Sequence, residues 1–161
     1  MIVQMKRQQF AALTGQELIA ACTEPMIVQF RSGDMSVKLE VMSRLNKEQQ
    51  ALCMFRLLYP AAHSPEEFGA WMAYLLEQPG YWTGILGGVR FFDETALLRL
   101  LEEIERLATE HRSTAVPHHA GTVQSVLSPL FQSFADAMND SIERISLYIR
   151  SDPQQFVALV D

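Results

Sequence analysis

The sequence lacks any apolar stretch near the roughly 18 residues that cross a bilayer. Charged or amide side chains interrupt every candidate run, as at Tyr74-Leu75-Leu76-Glu77-Gln78. The opening Met-Ile-Val-Gln-Met-Lys-Arg-Gln-Gln lacks the basic-then-apolar order of a secretory signal. The expectation is a cytoplasmic protein with no membrane partner. Cysteine is scarce: Cys22 and Cys53 are too few for a disulfide framework and read as packed free thiols. A basic excess is also missing. The formal net charge is −6, whereas a nucleic-acid binder needs cations to neutralise phosphates, so no nucleic-acid partner is expected. There is no internal repeat and no low-complexity tract.

Signature motifs of catalysis are missing as well. The glycine-rich run Gly84-Ile85-Leu86-Gly87-Gly88 has no Gly-Lys-Ser/Thr ending and follows no strand, so it is neither a phosphate loop nor a dinucleotide fingerprint. It suits close helix contact or a turn. No Gly-x-Ser-x-Gly elbow occurs. The four histidines show neither His-x-x-x-His nor Glu-x-x-His spacing, which would put metal ligands one helical turn apart. The paired carboxylates Glu66-Glu67 and Glu102-Glu103 read as a helix first turn and a solvated helix face. No cofactor is expected, and the balance leans against an enzyme.

What the sequence does hold is size, apolarity and helix punctuation. With 161 residues, 48% hydrophobic and 20% charged, it suits one packed domain, residues 1–161. Charge is uneven: residues 1–56 carry seven Lys/Arg and five Asp/Glu, net +2, and the remainder carries six and fourteen, net −8. The basic third could dock on the acidic remainder, though a solvated acidic face is the simpler reading.

The caps predict an all-α bundle of about five to seven helices. Thr14-Gly15-Gln16-Glu17 is a capping box opening a short helix that Pro25 is expected to close. Residues 6–13 read as a further helical piece. Residues 26–42 are ambiguous: alternating Met26, Val28, Phe30 and Met35, Val37, Leu39 would suit a β-hairpin. The preferred reading caps a helix with Asp34, puts Val37, Val41 and Leu45 on one face and pairs Glu40 with Arg44.

Asn46 and Gln49 form a second capping box. Ser64-Pro65-Glu66-Glu67 starts a helix running to about Gln78, broken by Pro79-Gly80. Asp93 is expected to cap a helix from Glu94 to about His111, with Arg99–Glu103 and Glu102–Arg106 pairs outside. Residues 112–121 read as a loop or lid. Ser128-Pro129 marks a possible break in the next long helix, whose apolar face runs from Leu130 to Ile149. Asp152-Pro153 caps a last helix ending near Val160.

Three functions compete. The first is a non-enzymatic helical module acting through protein contacts, with itself or with another protein, using apolar helix faces. The second is a small-molecule binder or enzyme. Seven of the fifteen aromatic residues fall between Phe68 and Phe92. Trp71, Tyr74, Tyr81 and Trp82 with Arg90 could line a pocket for a planar or anionic ligand. The third is a metal-dependent hydrolase or transferase using His63 with His118 or His119. A flat exposed apolar patch would favour the first function. A concave aromatic cluster holding a buried arginine would favour the second.

Overall fold

Two four-residue strands, Val3–Lys6 (β1) and Val157–Val160 (β2), pair in parallel with Val3 opposite Val157 and Lys6 opposite Val160. The computed structural model describes residues 2–114 and 122–161. Between the strands the described chain is helical: Arg7–Ala12 (α1), Gly15–Ser32 (α2), Met35–Ser43 (α3), Lys47–Arg56 (α4), Pro65–Leu76 (α5), Pro79–Phe91 (α6), Thr95–Thr114 (α7), Val123–Leu127 (α8) and Phe131–Ser151 (α9). The all-α class holds, with more helices among the described residues than expected. No described helix is long and apolar enough to cross a membrane.

Local signals place the helix starts well. Thr14 accepts from the Glu17 amide while Glu17 accepts from the Thr14 amide, and Asn46 and Gln49 do the same. Ser64 caps α5 with Pro65 in its first turn. Asp34 accepts from the Val37 amide at 3.0 Å and caps α3, so residues 26–32 and 35–42 are helical on either side of Gly33-Asp34 and form no hairpin. Glu40 pairs with Arg44.

Tertiary packing overrides several other signals. Pro25 does not end α2 but lies inside it. Proline removes one helix hydrogen bond, yet Met26, Ile27 and Phe30 beyond it are buried, and that burial holds the helix on course. Thr23 sends its hydroxyl back to the Ile19 carbonyl at 2.8 Å beside the proline. After Asp152 the chain makes a single 3-10 turn, Pro153–Gln155, and then extends as β2, so the expected last helix is replaced by a strand. Val157 is buried there alongside Met5 of β1.

Residues 79–91 form a full helix, and Asp93 is not the cap of α7. It closes α6: its φ of 55° is left-handed, its amide donates to the Arg90 carbonyl, and the Glu94 amide donates to the Val89 carbonyl. That pair of bonds is a Schellman closure, where glycine or asparagine is the usual occupant. α7 continues through Arg112 to Thr114, so these residues are helix and not loop. On its surface Arg106 pairs with Glu103 and Glu110 in place of the expected partners. Ser128-Pro129 begins a 3-10 turn, and α8 is capped by Thr122.

The main core gathers β1, α2 and α4–α9 around Phe55, Phe68, Phe134 and Ile149. α9 presents Phe134, Met138, Ile142, Ile145 and Ile149 to it at helical spacing. Glu94, with its side chain 3% exposed, joins α7 to α9 by placing both oxygens 3.0 Å from Arg144 Nε. A smaller cluster of Ile27, Phe30, Val41, Leu45, Cys53 and Met54 sits where α2, α3 and α4 meet. Charge does little to join the two parts of the chain: Arg7–Asp161, 3.1 Å and exposed, is the described ion pair linking the basic third to the acidic remainder.

Candidate functional site

α6 meets α4 through its glycines. A Cβ on Gly88 would lie 2.7 Å from the Ala51 carbonyl oxygen, and one on Gly84 would lie 2.5 Å from Met54 Sδ. The run therefore serves helix contact, as its composition suggested. Gly87, next in the chain to Gly88, has nothing within 4 Å of a Cβ position. It faces a groove of about 550 Å³ between α3, α4 and α6. Met35, Leu39 and Met42 of α3 form one wall, and Tyr81 and Phe91 of α6 the other, with Met54 and the glycines below. Lys38 and Lys47 are the charged residues among those described as lining it.

A smaller pocket of about 210 Å³ adjoins this groove and shares Phe30, Lys38 and Tyr81 with it. Trp71 and Tyr74 of α5 line it with Arg31 of α2 and Arg56 of α4. The Trp71 and Tyr74 rings stack, with centroids 5.2 Å apart. Trp71 Nε1 donates to the Leu57 carbonyl, which fixes the indole and leaves it a ring wall. The Lys38 ammonium lies 5.2 Å from the Tyr81 ring centroid, and its hydrogen bond to Tyr81 holds its pKa above the ordinary value. The Arg56 side chain is 14% exposed, with its guanidinium 4.2 Å from the Tyr59 ring centroid. Burial pulls its pKa below the ordinary arginine value. Glu24 approaches to 3.9 Å, and Arg56 Nε is buried without a hydrogen-bond partner.

Three of the five aromatic-cluster candidates thus meet: Trp71, Tyr74 and Tyr81. Trp82 is core, 5% exposed, with Nε1 donating to Glu105 at 2.8 Å. Arg90 is exposed and lines neither space. Nine residues separate it from Tyr81, which at 100° per residue is about half a turn round the helix. The cations that do reach the aromatics, Arg31, Lys38 and Arg56, come from the basic first third. The charge imbalance was the sequence signal for them.

His63 is exposed, with Nδ1 3.2 Å from Glu67 Oε2. His118 and His119 lie outside the described residues. Among those described, no group of three His, Cys, Asp or Glu is placed to hold a metal. Both thiols are buried, and burial pushes each up to about 12, so neither is poised as a nucleophile. Leu127 and Phe134 are buried in the core. No protein-family model, no curated protein and no solved structure matches the chain.

Proposed function

We propose that this is a small-molecule-binding protein without catalytic machinery, whose site is the groove between α3, α4 and α6 with its adjoining aromatic pocket. The supporting observation is concavity: about 550 Å³ of apolar space lies within the range of roughly 300–1,000 Å³ typical of ligand pockets. A partly buried arginine and three aromatic rings stand at one end. The two unpaired thiols suit a reducing compartment, and the reading places the protein in the cytoplasm. Native mass spectrometry of protein purified without chelator or affinity metal tests it. An excess mass on each subunit is expected, absent from Gly87→Leu, which plugs the groove where a side chain meets no atom.

The second reading is self-association or another protein contact through α3. Met35 and Leu39 are 59% and 65% exposed, and Val41 is the one α3 residue described as buried. A helix this apolar and this uncovered suits a partner. The same spectrum separates the readings: an unliganded dimer or larger assembly, dissociated by Leu39→Ser, supports the second.

A further inference from the structure

We propose that the groove and the adjoining pocket are one site for an anionic amphiphile, a linear alkyl chain ending in a carboxylate. Its head group sits among Arg31, Lys38 and Arg56, and its tail lies along Met54, Gly84 and Gly87. This rests on the small-molecule reading above and adds the chemistry and the orientation of the ligand.

Continuity comes first. Phe30, Lys38 and Tyr81 line both spaces, so the two meet across these side chains, and a turn of the Lys38 side chain away from Tyr81 joins them. Charge comes second. The chain carries 19 acidic against 13 basic residues. Yet Arg31, Lys38, Lys47 and Arg56 line the combined space, and none of the other described lining residues is Asp or Glu. In a protein of net charge −6 a cation-only lining is the reverse of the average surface, and it complements an anion.

Arg56 is the third observation. A guanidinium that is largely desolvated gains most from a carboxylate, because a buried cation without a close partner is costly. Its one described ion-pair partner, Glu24, stands at 3.9 Å and is half exposed, and its Nε–H donates to nothing described. The stacked rings of Trp71 and Tyr74 form one wall beside the head group. The groove beyond is apolar, so it accepts methylenes and not a second charge. Methionines at Met35, Met42 and Met54 adjust to an alkyl chain.

The test uses three 12-carbon probes, dodecanoate, dodecanol and dodecyltrimethylammonium, below their micellar concentrations, by calorimetry and by Trp71 fluorescence. Dodecanoate is expected to bind at least tenfold more tightly than dodecanol, with the ammonium weaker still. Shorter carboxylates should weaken by about fourfold per methylene removed. Arg56→Gln should lower dodecanoate affinity about tenfold and leave dodecanol unchanged. Lys38→Gln gives the same readout if Arg56→Gln does not fold. Gly87→Leu should weaken all probes without lowering the Tm.

Equal binding of dodecanoate and dodecanol, insensitive to Arg56→Gln and Lys38→Gln, overturns the head-group assignment and leaves the groove reading intact. Binding of no probe overturns both. Co-sedimentation with phosphatidylglycerol vesicles in place of dodecanoate binding assigns the cations to a lipid surface and overturns the proposal. So does a Gly87→Leu protein that loses a homo-oligomer while the parent retains no probe.

Discussion

α9 and α3 are both rich in apolar residues, and the fold treats them in opposite ways. α9 turns Phe134, Met138 and Ile145 into the main core, takes the small Ser141 and Ser146 in with them, and keeps its charged residues out of the core. α3 buries Val41 alone and leaves Met35, Val37 and Leu39 in water over a groove. One helix sorts its apolar residues onto a single face, whereas the other spreads them among Ser36, Lys38 and Glu40 and is half covered. Folding free energy selects the first arrangement. The second gives Val41 and the half-buried Met42 to the small cluster and leaves the rest of its apolar surface in water, and it is against this surface that the proposed site is placed.

The contrast can be broken by mutation, beginning where the effect is largest. Phe134→Ala, at a fully buried α9 position, should cost about 3–5 kcal/mol in urea unfolding. A loss below 1 kcal/mol would mean that α9 is not the core helix. Gly88→Ala drives a methyl into the Ala51 carbonyl and should cost about 1–3 kcal/mol, despite alanine's better helix propensity. A more stable variant would show that α4 and α6 separate easily.

The thiols sharpen the contrast through pH. Burial raises Cys22 and Cys53 from 9.0 to about 12. The unfolded chain therefore releases these protons from about pH 9 upward while the folded protein keeps them. Their contribution is whole below pH 9 and is lost as the pH climbs towards 12, so the Tm should fall across that window. Cys53 belongs to the small cluster under α3 and Cys22 to the main core. Thiol labelling at pH 8 should reach Cys53 first, and equal rates would mean that both clusters open together. Smaller still, Gly87→Ala should stabilise by about 0.5–1 kcal/mol, since its methyl enters open space. Leu39→Ser should leave stability within about 0.5 kcal/mol, and a larger loss would place α3 in the core.

Helix starts were legible because capping is local. Thr14 with Glu17, Asn46 with Gln49 and Ser64 with Pro65 each announce themselves within four residues. Pro25 misled because its meaning depends on what Ile27 and Phe30 bury against, far away in the chain. The strands were invisible: four residues have no measurable period, and their partner lies 154 residues away. The site was half legible. Trp71, Tyr74 and Tyr81 stood out by density, but Arg90 was chosen by proximity in sequence, and helical phase carries it to the far side of α6. Arg31 and Arg56 reach the aromatics through the packing of α2 and α4, which no short window contains.

The pairing of β1 with β2 also orders events during synthesis. Val3 leaves the ribosome well before Val157, so one half of this sheet waits while the helices between them are made. At about 5–20 residues per second the wait is on the order of 10 s. Met5, buried in the finished protein, spends that time without the strand beside which it ends up. The nascent chain must therefore tolerate an open strand edge next to α1, where a chaperone or a neighbouring nascent chain can reach it before β2 does.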